Sequence, residues 1–169
     1  MVRLDALPDA FDLLILKLKE QLSSLDLATL VGNRSASVKK HFDQFAPGAE
    51  FRKLPTNVDP NELGKVPAGQ RIDQAYSHLD GGTIGIELCL NNREAIGTNF
   101  SKLSSFLSKR EAAPNFRLAV LITLSRDLLD HGGWDRSYGD SSEYDDAFDL
   151  IYGEFASGSV VSLTLSLEK

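Results

Sequence analysis

Two carboxylates, Asp73 and Glu87, stand on either side of an Asp80-Gly81-Gly82 turn signal, and they are the side chains best spaced to do chemistry. From Thr83 onward the chain alternates. Ile84, Ile86, Leu88 and Leu90 share one face, and Thr83, Gly85, Glu87, Cys89 and Asn91 share the other. Turn residues between alternating runs predict a β-hairpin over 71–94. A loop formed by Asp80-Gly81-Gly82 would set Leu79 opposite Thr83, Tyr76 opposite Ile86 and Ile72 opposite Leu90, so that the apolar faces match. A loop one residue shorter would set apolar residues against polar ones, which a sheet with a buried face resists. In the expected register Asp73 faces Cys89 and lies diagonal to Glu87, at roughly 7–8 Å. Two carboxylates that close can share one divalent cation. One face of the hairpin is then core and the other is open for chemistry.

The totals bound what such a site can serve. The chain has 169 residues, enough for one domain with a real core, and 42% hydrophobic and 25% charged residues, ordinary for a globular protein. A net charge of −6 offers no global attraction to a polyanion, so nucleic acid would have to be met by a local basic surface or by bound metal. Cys89 is the single cysteine, which excludes an internal disulfide and a multi-cysteine zinc site. The first residues show no basic-then-apolar leader pattern, and no apolar run approaches a membrane span of about 18 residues. A cytoplasmic setting without membrane contact is expected.

The elements that must position the carboxylates follow from periodicity. An amphipathic helix is predicted over 9–23, from Phe11, Leu14, Ile15 and Leu18, with Pro8 suited to its first turn. A second is predicted over 36–46, capped by Ser35 or Ser37 and carrying Val38, Phe42 and Phe45 inward with Lys39 and Lys40 outward. Residues 49–54 read as a strand and 55–69 as loop. After the hairpin, a helix is expected over 98–110, capped by Thr98 or Asn99, with Phe100, Leu103 and Leu107 on one face. Leu118-Ala-Val-Leu-Ile122 is an uninterrupted apolar run, the pattern of a strand covered on both faces. Residues 126–142 read as a polar loop, 143–156 as a helix bearing Tyr144, Phe148, Ile151 and Phe155, and 160–167 as a closing strand. The class is α/β, a central mixed sheet flanked by helices in a single domain 1–169, with N-terminal helices over 1–48 and a core over 49–169.

Helices, then a hairpin bearing Arg71-Ile-Asp73 and Ile86-Glu87-Leu-Cys89, then a helix and a buried strand: this order resembles the core of the PD-(D/E)XK nucleases, and within them the BglII- and BamHI-like type II restriction endonucleases. Asn99-Phe-Ser-Lys-Leu103 with Leu118 to Arg126, and Tyr138-Gly-Asp-Ser-Ser142 before a helix, extend the likeness over the C-terminal two thirds of the chain. The resemblance implies a restriction-endonuclease-like fold, Mg²⁺ held by Asp73 and Glu87, cleavage of double-stranded DNA, and a homodimer acting on palindromic sites. It implies that position 89 gives a third metal contact or orients water. Here the chain departs, because the superfamily usually carries Lys there and the BglII-like group Glu or Gln. A thiol is a soft ligand and mostly neutral at pH 7, so only the main chain of Cys89 suits the role.

Arg93, six residues past Glu87, either replaces the missing charge or is a surface arginine. Arg136, Ser137, Tyr138, Ser141 and Ser142 are the donor types that contact phosphates or base edges, and Ser141 and Ser142 equally suit helix caps. Lys39, Lys40 and Lys102 are further phosphate contacts or simply solvated charges. His41, His78 and His131 lack metal-ligand spacing. The alternative from another class is a catalytically impaired DNA-binding or assembly protein that keeps the nuclease fold.

Overall fold

The computed structural model describes residues 9–27, 30, 32–57, 65–79, 81–108, 117–152 and 160–167. Among the described residues ten α-helices and β-strands follow one another: α1 (Asp9–Ser23), α2 (Arg34–Phe42), β1 (Phe51–Leu54), β2 (Gln74–His78), β3 (Thr83–Leu88), α3 (Ile96–Ser108), β4 (Arg117–Leu124), α4 (Arg126–His131), α5 (Ser141–Tyr152) and β5 (Val160–Leu165). The five strands form one sheet in the order β1-β2-β3-β4-β5. The first three pair antiparallel, and β3, β4 and β5 pair parallel, so the sheet is mixed, as the sequence predicts. Among the described residues no helix is long and apolar enough to cross a membrane.

Both faces of the sheet are covered. Ile84, Ile86 and Leu88 of β3, with Val120 and Ile122 of β4, pack on Phe11, Leu14, Ile15 and Leu18 of α1 and on Val38 and Phe42 of α2. On the opposite face Ala75, Cys89, Ala119, Leu121 and Val160 pack on Phe100 and Leu103 of α3 and Tyr144 of α5. Each fully buried leucine or isoleucine contributes about 1.5–3 kcal/mol on leaving water, which is what holds three layers together. The face expected to be open for chemistry is therefore a second core, and only its corner at Asp73 and Glu87 departs from that.

Gly85 explains how closely α3 approaches. A Cβ there would sit 2.6 Å from Ile72 Cδ1 and 2.8 Å from the Phe106 ring. Ile72 thus lies on the α3 side, not on the Tyr76 side where strict alternation puts it. The chain enters β2 only at Gln74, so residue 72 is free of the pleat.

The hairpin register also differs from expectation. Gln74 pairs with Ile86, Ala75 with Gly85, Tyr76 with Ile84 and Ser77 with Thr83. This is a slip of two residues relative to the expected pairing, which keeps the side chains of the paired residues on their faces. The turn is wider, closed by His78 N–H donating to Gly82 O at 3.1 Å and Gly81 N–H donating to His78 O at 3.1 Å. Gly81 and Gly82 hold φ of 98° and 91°, conformations open to glycine.

Other corrections are local. The cap of α2 is Asn33, whose side chain accepts from Ala36 N–H, so the helix begins before Ser35 and Ser37. Helix α3 starts at Ile96, which puts Thr98 and Asn99 inside it. Residues 126–131, expected as loop, form α4, capped by Ser125 accepting from Leu128 N–H. Helix α5 begins at Ser141, and Phe155, assigned to its inward face, lies outside the described residues.

Candidate metal and phosphate site

One step beyond the Gln74–Ile86 pair, Asp73 comes opposite Glu87 rather than Cys89. Where β2 leaves the ladder, side chains take over its hydrogen bonds. Asp73 N–H donates to Glu87 Oε2 at 3.1 Å, and Leu88 N–H donates to Asp73 Oδ2 at 2.8 Å. The two carboxylates are thereby brought together more directly than a diagonal placement would bring them.

Two lysines face them. Lys102 Nζ of α3 lies 2.5 Å from Glu87 Oε1, and Lys39 Nζ of α2 lies 3.5 Å from Asp73 Oδ1. Glu87 is buried at 1% exposure while Asp73 keeps 26% of its side chain accessible, so the pair is reached from the Asp73 side. Burial is the main force raising the Glu87 pKa, to about 7, and the neighbouring Asp73 charge adds to it, against the opposing pull of Lys102 and the Asp73 N–H. Near neutral pH Glu87 is poised between its protonated and ionised forms.

Cys89 does not join it through its side chain. Its N–H donates to Ile122 O at 2.8 Å, and its thiol is fully buried beside α3 and α5. Burial first, then the Glu87 charge, push the thiol well above its ordinary pKa, so it stays neutral. The space around it is closed by a polar link. Asn99 Nδ2 donates to Asn91 Oδ1 at 3.1 Å and to the Tyr144 hydroxyl at 2.7 Å, which ties α3, α5 and the end of β3.

Arg93 is not brought to the carboxylates. It sits on a 3-10 turn (Arg93–Ala95) with Nη1 3.5 Å from Glu143 Oε1 and Nη2 donating to Arg136 O at 3.0 Å. The cation that does reach Glu87 is Lys102, which the sequence offered only as a possible phosphate contact. Its signal was the spacing Asn99, Lys102, Leu103 and Phe106, which puts it at the edge of the inward face of α3.

The five residues expected to contact DNA lie together in the loop before α5 and at its start. Ser137 N–H donates to Asp135 Oδ1 at 2.9 Å and Ser137 Oγ to Asn92 Oδ1 at 3.0 Å. The Tyr138 hydroxyl accepts from Ser35 Oγ at 3.2 Å. Ser142 N–H and Oγ both donate to Asp140 Oδ1, at 2.9 and 2.6 Å, at the start of α5, where Ser141 opens the helix. Arg136 is exposed, with Nη2 donating to Asp130 O at 3.4 Å. Most of these groups therefore have work within the loop itself.

Among the described residues no third His, Cys, Asp or Glu completes a metal-binding cluster with Asp73 and Glu87. The donor set still suits Mg²⁺, which uses one or two carboxylates and fills the rest of its octahedron with water and substrate phosphate. The observation that fits is the pairing itself, a buried Glu87 whose charged form burial disfavours and a cation would favour, beside an Asp73 that keeps 26% of its side chain accessible. Comparison with family models, with curated proteins and with solved structures returned no match.

Proposed function

We propose that the chain is a Mg²⁺-dependent endonuclease of double-stranded DNA, similar in type to the PD-(D/E)XK restriction endonucleases and acting as a homodimer. The observation that carries the reading is the Asp73–Glu87 pair with Lys102 against it, at the seam where the antiparallel hairpin meets the parallel strands. Mg²⁺ would be held by Asp73 and Glu87, and when bound it neutralises the scissile phosphate and makes its water acidic.

The remaining parts belong to the chain itself. Lys102 supplies beside Glu87 the cationic charge that the superfamily carries as Lys at position 89, arriving from a helix instead of the strand. An ammonium there attracts a phosphate oxygen and stabilises the charge that grows on it as water attacks phosphorus and the ester bond breaks. Lys39, half exposed beside Asp73, is placed to meet a backbone phosphate entering from the accessible side. Asp73 fixes the geometry by holding the Leu88 amide, and a rigid strand is the right platform for that.

The second reading, a DNA-binding or assembly protein without catalysis, is favoured by the sealing of Glu87. All four carboxylate oxygens already face an N–H or an ammonium. Incubation with supercoiled plasmid and Mg²⁺ or Mn²⁺ decides between them. The enzyme reading expects nicked and linear products from the wild type and none from Asp73→Ala or Glu87→Ala. DNA retention with no cutting in either metal supports the second reading, and cutting that survives both substitutions removes the site assignment.

A further inference from the structure

Four groups hold the oxygens of Asp73 and Glu87, and they are not equally fixed. The Asp73 and Leu88 amides belong to the main chain. Lys102 Nζ lies 2.5 Å from Glu87 Oε1 with 18% of its side chain accessible, so its ammonium is close and largely enclosed. Lys39 differs on both counts. Its Nζ stands 3.5 Å from Asp73 Oδ1, and 50% of its side chain is accessible. An ion pair that long and that exposed contributes little to holding its members together. Lys39 also stands against Asp73, the member of the pair through which the site is reached.

Lys39 has a second seat. Its Nζ lies at the same 3.5 Å from Asp43 Oδ1, one helical turn further along at the C-cap of α2. Asp43 is itself anchored. Its N–H donates to Lys39 O at 2.8 Å, and the side chain of Gln74, only 2% exposed, donates from Nε2 to Asp43 Oδ1 at 3.4 Å and to Phe42 O at 3.2 Å. Gln74 directly follows Asp73 in the chain, so one short stretch of backbone both carries one aspartate and steadies the other. A single ammonium is thus shared between two carboxylates, of which only Asp73 touches the Leu88 amide beside Glu87.

We propose that Lys39 is a resident counter-ion of the Asp73–Glu87 site, which an entering divalent cation displaces from Asp73 and which Asp43 then retains. This rests on the reading of Asp73 and Glu87 as a cation site, and it assigns to Lys39 and Asp43 the setting of that site's affinity. A metal ion and an ammonium at one carboxylate repel each other at short range, so one of them must give way. Of the two ammoniums Lys39 is the one free to do so, because it is half exposed on a flexible stem while Lys102 is enclosed beside Glu87. Without metal, Lys39 offsets the charge of Asp73. With metal, it turns to Asp43, and neither aspartate is left without a cation.

Calorimetric titration of the intact protein with Mg²⁺ and Mn²⁺, at pH 8 and constant ionic strength, tests this. Lys39→Met should tighten binding about tenfold, the effect of taking a unit charge away from a divalent ion about 5 Å distant in a water-like medium, and Lys39→Gln should do the same. Lys40→Met removes the adjacent charge, which pairs with neither Asp73 nor Glu87 among the described residues, and should leave the affinity within about twofold. Asp43→Asn takes away the second seat and should weaken binding about threefold in the wild type but less than about 1.5-fold in Lys39→Met. Equal affinities of the wild type, Lys39→Met and Lys39→Gln overturn the proposal and leave the cation site standing. An Asp43→Asn effect that persists undiminished in Lys39→Met overturns the part given to Asp43. No binding by any of these proteins removes the cation site itself, and the proposal with it.

Discussion

Asp140 and Glu87 are both buried carboxylates beside a cationic side chain, Arg126 for one and Lys102 for the other, and their charges are held in opposite ways. Asp140 lies at the start of α5, where its Oδ1 accepts from Ser142 N–H, Ser142 Oγ and Glu143 N–H, while its own N–H donates to Glu143 Oε2 at 3.0 Å. Burial pushes its pKa up, but these donors and Arg126 together outweigh burial and hold the carboxyl below its ordinary range. Glu87 has one ammonium and one amide against burial and a neighbouring acid, and burial wins. Burial alone therefore does not make a carboxylate reactive. A reciprocal capping box holds Asp140 ionised as a structural part, whereas burial disfavours the charged form of Glu87, a cost that a bound cation would relieve.

The sharpest way to break this contrast is to remove each cation. Lys102→Met leaves Glu87 buried without its partner, and denaturant unfolding at pH 8 should show a loss of about 3–5 kcal/mol, shrinking at pH 5 where Glu87 takes a proton. Adding Glu87→Gln to that variant should recover most of the loss. Arg126→Met should cost less, about 1–3 kcal/mol, because three donors remain on Asp140 Oδ1 although the buried Oδ2 loses the guanidinium beside it. Equal losses would mean that the two acids are held alike.

The pH dependence sharpens the same contrast with the next largest effect. Glu87 keeps its proton in the folded state up to about 7 but releases it near 4.5 when unfolded, so its contribution is fully present below pH 4.5 and is lost as pH rises through about 7. The metal-free protein should lose on the order of 3 kcal/mol over that window, and Glu87→Gln should flatten the curve. Asp140 has the opposite sign: its contribution is present at neutral pH and is lost in acid, as pH falls through its folded pKa. Urea midpoints from pH 2 to 8 for wild type, Glu87→Gln and Asp140→Asn separate the two limbs.

Packing around the pair gives smaller effects. Gly85→Ala drives a methyl into Ile72 and Phe106 and should cost about 1–3 kcal/mol in thermal or urea unfolding. Cys89→Ala should lower stability by about 1 kcal/mol and leave plasmid cleavage unchanged, because the neutral thiol is turned into the core. A cleavage rate that falls with Cys89→Ala would return that side chain to the chemistry.

Much of this was legible in the sequence, for a physical reason that also marks where it stopped. Alternation over 83–90 determines which residues share a face, so Asp73 and Glu87 could be placed on one side of the hairpin. It cannot separate registers that differ by two residues, since both match the apolar faces; the conformation of Gly81 and Gly82 makes that choice. Helix α4 escaped notice because only Leu128 and Leu129 of its six residues are buried, too few for a period, although Ser125 signalled its cap. Asn99 looked like a cap because asparagine is a poor interior helix residue, and it lies inside because Asn91 and Tyr144 satisfy its amide nitrogen. Lys102 was hidden for the reason long lysines often are. Its Cα sits at the edge of the helix, and only the three-dimensional path of α3 brings its ammonium to Glu87.

The claim on which all of this turns is that Asp73 and Glu87 act together as one cation-binding carboxylate pair. Calorimetric titration of Mg²⁺ and Mn²⁺ into the wild type, Asp73→Ala and Glu87→Gln, each at pH 6 and pH 8, measures that directly. Binding to the wild type that tightens from pH 6 to pH 8 as Glu87 ionises, and that disappears with either substitution, is the result this account predicts. Absence of binding at both pH values, or undiminished binding in both variants, would contradict it.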